Sequence, residues 1–170
     1  MHKRGVVGFA TNWHSQVSAI IRWFTQSNWS HSFIITDVIK DRTYLLEANY
    51  GGTDVRSWRE YRDPTVVPTE LWLPNASEEA IDSALAKTQA KFEGVTYGYL
   101  ELLWIGVKIS LAKAGWRVHD PVQQGAICSQ VAWFYLHELF PQEFGHLDGR
   151  SVTPADLHRV VLNSPSFTKV

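Results

Sequence analysis

One cysteine, Cys128, stands in a chain of 170 residues, so no disulfide can form within it. Charge of one sign is also missing. The 16 Lys and Arg against 17 Asp and Glu give a formal charge of −1, which leaves no electrostatic footprint for nucleic acid. There is no basic run, no phosphate-binding glycine loop, and no H-E-x-x-H spacing among the histidines. Neither a metal nor another cofactor is therefore expected. Long apolar runs are absent too. The most membrane-like stretch, Leu100 to Ala112, carries Glu101 and Lys108 and is far short of the roughly 20 residues that span a bilayer. It is not a transmembrane segment, and Leu102, Leu103, Trp104, Ile105, Ile109 and Leu111 fit a buried or half-buried helix, with the wall of an acyl-chain site as the minority reading. The start, Met1-His2-Lys3-Arg4-Gly5, runs straight into a strand-like segment with no apolar signal region. Cytoplasmic synthesis is the expectation, with delivery to a cell wall or carriage in a phage particle left open.

With 45% hydrophobic and 19% charged residues, the chain suits one compact domain over 1–170 with a full core. Its eight tryptophans fit either an aromatic groove or a filled core, and composition does not separate the two. Gly5 to Ala10 reads as a strand. Ser15 to Thr25 reads as a helix with Val17, Ile20, Ile21 and Phe24 on one face, flanked by Trp23. Ser32 to Ile39 and Thr43 to Ala48 read as strands joined by a turn at Lys40-Asp41-Arg42, and Glu47 closes the second. Gly51-Gly52 breaks the pattern, Ser57 to Tyr61 fits a short helical turn, and Val66 to Leu73 is a strand ended by Pro74.

From Ser77 the grammar turns helical: Glu78 and Glu79 open a helix that stops before Gly94, with Ile81, Ala84, Leu85 and Thr88 on one face. Tyr97-Gly98-Tyr99 leads into the apolar helix, and Gly115 to Gly125 is a polar connection. Cys128 opens a helix to about Phe140, and Thr153-Pro154-Ala155-Asp156 starts another with a capping hydroxyl. The class is α+β.

Cys128 lies in Gly125-Ala126-Ile127-Cys128-Ser129-Gln130-Val131, where a polar loop turns into a helix. Unpaired N–H groups at a helix start favour thiolate over thiol and can stabilise an oxyanion. Trp29-Ser30-His31-Ser32-Phe33-Ile34-Ile35 puts a histidine at the mouth of an apolar strand. Taken singly, each has a plainer explanation: free cysteines mostly fill cores, and a histidine picked at random is more often a surface or satisfied core residue. A helix-opening Cys together with a strand-opening His is the constellation of thiol hydrolases.

The order of these pieces resembles the circularly permuted NlpC/P60 hydrolases, the YiiX/YebB-like branch of the papain-like superfamily. The pieces are Trp29-Ser30-His31-Ser32, Leu46-Glu47-Ala48, Tyr97-Gly98-Tyr99, Cys128-Ser129-Gln130 and Thr153-Pro154-Ala155-Asp156-Leu157, and they span most of the chain. In ordinary papain-like enzymes the cysteine precedes the histidine, whereas here His31 comes first, as permutation implies. The resemblance implies a papain-like antiparallel sheet packed against helices. It makes Cys128 the nucleophile, His31 the base and later the acid, and Glu47 the third member that orients the imidazole. For Glu47, a solvated strand-edge residue is an equal reading.

Ser129 and Gln130 can cap the helix or touch substrate, and Trp13 and His14, in the loop after the first strand, are candidate substrate contacts. Many relatives carry an acidic residue after the glycine of the first strand, where this chain has Gly8-Phe9. The implied activity is attack on an amide carbonyl in cell-wall peptides, with no metal. An acyl-lipid hydrolase or acyltransferase of the lecithin-retinol acyltransferase-like type is the enzymatic alternative, and a catalytically silent binding module is the alternative from another class.

Overall fold

The computed structural model describes residues 2–40, 42–49, 51–96, 98 and 127–170. Six strands form one antiparallel sheet in the order β4-β3-β2-β1-β5-β6. They are β1 (Val7–Ala10), β2 (His31–Ile39), β3 (Arg42–Asn49), β4 (Gly52–Ser57), β5 (Thr69–Pro74) and β6 (Phe167–Lys169). Among the described residues five α-helices accompany them: α1 (Gln16–Thr25), α2 (Glu78–Phe92), α3 (Cys128–Leu139), α4 (Pro141–Phe144) and α5 (Pro154–Asn163). A 3-10 turn, Trp58–Tyr61, follows β4. The α+β class expected from the sequence is the one observed. The apolar helix expected over 100–112, Tyr97, Tyr99 and the 115–125 connection lie outside the described residues.

Strand alternation sorts the core into two layers. Val7 and Phe9 of β1, Ile34 of β2, and Leu46 and Ala48 of β3 face the helices, meeting Ile81 and Leu85 of α2, Val131, Ala132, Tyr135 and Leu136 of α3, and Leu157 and Val161 of α5. Val6, Ala10, Phe33, Ile35 and Leu45 point the other way, where Tyr61 and Val67 cover them. The Tyr135 hydroxyl donates to the Gly5 carbonyl at 2.9 Å, so α3 is tied to the start of β1 as well as packed on the sheet.

Several boundaries and faces differ from the sequence reading. The residues of α2 expected on one face, Ile81, Ala84, Leu85 and Thr88, are its buried ones. In α1 the inward residues are Ser18 and Ile21, while Ile20 is 51% exposed. A buried hydroxyl chain explains the rotation: Ser30 donates to Ser18 at 2.9 Å and shares a 2.8 Å bond with Thr11, so a polar residue holds the helix. The Gly51-Gly52 break is the entry to β4, a strand the sequence did not reveal. Gly52 has φ +104°, and a Cβ there would lie 2.9 Å from the Val95 carbonyl oxygen, which accepts from Thr53 N–H at 2.8 Å. Val66 and Val67 belong to a turn on Asp63, and β5 begins only at Thr69.

Candidate active site

His31 opens β2, and alternation sets it on the same face as Phe33 and Ile35. Glu47 of the neighbouring β3 shares that face with Leu45. The ladder between the two strands runs from Ile39–Arg42 to Ile34–Leu46 and ends there, so at the His31 end the strands are no longer paired residue for residue. In that opening His31 Nε2 meets Glu47 Oε2 at 2.9 Å. The Tyr61 hydroxyl, from the 3-10 turn, donates to the same carboxylate oxygen. Glu47 is 1% exposed, so it is no solvated edge residue.

Cys128 is the first residue of α3 and 4% exposed. The His31 imidazole and the backbone N–H groups of Ser32 and Ser129 lie near enough to its sulfur to favour the charged form. Ser129 lies in the first turn of α3, where N–H groups have no carbonyl within the helix. Ser32 lies in the stretch of β2 beyond the end of the β3 ladder. With Nε2 engaged by Glu47, Nδ1 is the ring nitrogen left for the sulfur.

The charges follow from this packing. Burial works against the imidazolium, but the Cys128 sulfur and the Glu47 carboxylate outweigh it and push His31 up to about 10. Burial likewise opposes a charged Cys128, and the His31 charge with the Ser32 and Ser129 N–H groups overcomes it, drawing the thiol below its ordinary value. Glu47 is held below the ordinary carboxylate range against its own burial by His31, by the Tyr61 hydroxyl and by the Arg56 charge. The three shifts agree in direction with a thiolate–imidazolium pair steadied by a carboxylate.

His31 and Tyr61 form part of the wall of a cleft of about 370 Å³ between the sheet and α1, with Val17, Ile21 and Val66 supplying apolar surface. Among the described residues that line it, none is Lys, Arg, Asp or Glu.

The other candidates sit differently. Ser129, fully buried, donates to the Val152 carbonyl at 2.7 Å. Gln130 accepts from Ile127 N–H at 3.1 Å and donates to the Arg150 carbonyl at 3.2 Å. Both side chains are spent on holding the 150–152 loop and the start of α3. Trp13 is 48% exposed with the Arg22 guanidinium 4.0 Å from its ring centre, and His14 is exposed. Asn12 and Ser15, their neighbours in the loop, are the residues that reach the cleft. Tyr61, Ser32 and Arg56 were missed from the sequence. Nothing in the spacing of Tyr61 or Arg56 marks them, and Ser32 acts through its backbone, which a sequence does not display.

The antiparallel sheet with a cysteine-bearing helix against it is a papain-like α+β fold. A solved structure of the same fold is YiiX from Escherichia coli O157:H7, described as a metalloprotein of DUF1105. It matches with a TM-score of 0.54 and 19% identity over 99% of this chain and 96% of its own. No protein-family model matches the sequence, and no curated protein matches it. Among the described residues no group of three His, Cys, Asp or Glu side chains is placed to hold a metal ion, and Glu47 is engaged by His31 and Tyr61. No helix among the described residues is long and apolar enough to cross a membrane.

Proposed function

We propose that the protein is a cysteine hydrolase of the permuted NlpC/P60 kind that works through an acyl-enzyme. The observation that carries this reading is the buried Cys128 at the start of α3 beside the His31 imidazole, whose Nε2 meets Glu47 at 2.9 Å. The thiolate forms a C–S bond to the carbonyl carbon of the substrate, and the negative oxygen turns to N–H donors at the start of α3, that of Cys128 first among them. The C–N bond then breaks as the His31 imidazolium hands its proton to the departing amine. Water attacks the thioester, its proton passes to His31, and the carboxylate leaves as the thiolate is restored.

The resemblance to NlpC/P60 enzymes favours an amide in cell-wall peptides. One observation favours the second reading, an acyl-lipid ester or amide. Beside His31 the cleft presents Val17, Ile21, Val66 and Val67, apolar surface that suits an acyl chain. Incubation with peptidoglycan fragments and, separately, with long-chain esters and amides, read by mass spectrometry against Cys128→Ala, tests both. Cysteine-dependent release of peptides supports the first reading, and turnover of acyl chains supports the second. Binding of cell-wall fragments that survives Cys128→Ala, with no product from the unmodified protein, overturns the enzyme in favour of a recognition module.

A further inference from the structure

The catalytic trio of the proposed hydrolase has a fourth member in contact with it. Glu47 is joined to His31 through Oε2 alone. The terminal torsion of a glutamate is broad and soft, so one bond to the imidazole does not by itself fix the plane of the carboxylate. Tyr61 supplies the second constraint on the same oxygen.

Tyr61 is itself held firmly. It is 7% exposed, its ring centre lies 4.7 Å from that of Phe33 and 5.3 Å from that of Trp58, and its plane is within 12° of the His31 ring at 6.4 Å. It comes from the 3-10 turn after β4, not from the strands that carry His31 and Glu47, so the bond contributes nothing to sheet pairing. We infer that Tyr61 is a positioning residue of this site, whose hydroxyl sets the Glu47 carboxylate so that it holds the His31 imidazole toward Cys128. The inference rests on the thiol-hydrolase reading above. It also gives Tyr61, which lines the cleft, a mechanical link to the sulfur.

The test is the rate of alkylation of Cys128 by iodoacetamide from pH 4 to 9 in the full chain, since this reports the thiolate without knowledge of the substrate. Tyr61→Phe keeps the ring and removes the hydroxyl. Its acid limb should move up by about one pH unit, which is about tenfold slower alkylation below the limb. Because Tyr61 acts through Glu47, adding Tyr61→Phe to Glu47→Ala should shift the limb no further. A Tyr61→Phe profile that superimposes on the unmodified one overturns the inference, as does an equal shift in the Glu47→Ala background.

If the unmodified protein alkylates only near the ordinary thiol value of about 8.5 and His31→Ala changes nothing, the hydrolase reading itself falls and takes this one with it. Should Tyr61→Phe fail to fold, 3-fluorotyrosine at position 61 has a more acidic hydroxyl and should move the limb the opposite way, downward. A limb that stays in place there also overturns the inference.

Discussion

His31 Nε2 and Glu47 Oε2 lie 2.9 Å apart on adjacent strands, beyond the point where the ladder between those strands ends. An intact ladder would put Phe33, not His31, opposite Glu47. The end of the pairing lets the imidazole lean toward the carboxylate, and the Ser32 N–H on the same stretch of β2 favours a charged Cys128. The site is therefore built into a discontinuity of the sheet, and its charges depend on one another.

The first consequence concerns His31 and Cys128 as a pair. With the imidazole raised to about 10, its stabilising contribution is complete below the unfolded value of 6.5 and is lost as pH rises through about 10. In an NMR titration the His31 ring should stay in its imidazolium position through pH 8. Cys128→Ala removes the largest attraction that raises it, so the resonance should then titrate at lower pH. A neutral His31 at pH 7 in the unmodified protein would contradict the ion pair.

Glu47 titrates with the opposite sign. Its folded value lies below the ordinary 4.5, so its contribution is present above that value and lost as pH falls through the folded one. Glu47→Gln keeps the shape and an acceptor for Tyr61 but removes the charge facing His31. It should lose about 2 kcal/mol at pH 7, within the range for charged hydrogen bonds in buried sites. Urea unfolding at pH 7, 5 and 3 should show that gap closing on the acid side. A gap of constant size would mean that Glu47 is uncharged in the folded protein.

What the sequence showed and what it hid divide along physical lines. A cysteine at a loop-to-helix transition and a histidine before a β-branched run are local patterns, and both were readable as such, whereas Glu47, read as closing its strand, stands two residues inside β3. The helix α2 was readable with its buried face because its period repeats over 15 residues. The strand β4 was not, since Thr53 and Val55 alternate with charged residues behind two glycines. The three residues of β6 are too few to show a period. Tyr61 was placed in a helical turn, but its reach to Glu47 depends on how that turn folds back over the sheet. The inward face of α1 followed a buried hydroxyl chain, which apolar spacing does not predict.

Ser129 and Gln130 offer a separate test, because their bonds run to the loop carbonyls of Val152 and Arg150. Ser129→Ala leaves a buried carbonyl without its donor, and Gln130→Ala removes an acceptor from Ile127 N–H as well. Each should lower stability by about 1–2 kcal/mol, measured by thermal unfolding, with the alkylation profile of Cys128 keeping its pH midpoint. A large change in substrate KM with unchanged stability would instead assign them to substrate contact.

Gly8 ties the frame of the site to its chemistry. It pairs with Phe33 across β1 and β2, and a Cβ at Gly8 would lie 2.0 Å from the Phe33 ring. Phe33 is 1% exposed and packed against Trp58 and Tyr61, so its ring cannot retreat without moving Tyr61. Gly8→Ala should therefore cost about 1–3 kcal/mol as an overpacked core and also slow alkylation of Cys128 at pH 6. Replacing Phe33 by Leu in the same chain makes room for the methyl group and should recover most of the stability. Alkylation should stay slow in that double variant, because Tyr61 has lost the ring that positions it. Recovery of both together would show that Tyr61 is held by Trp58 alone.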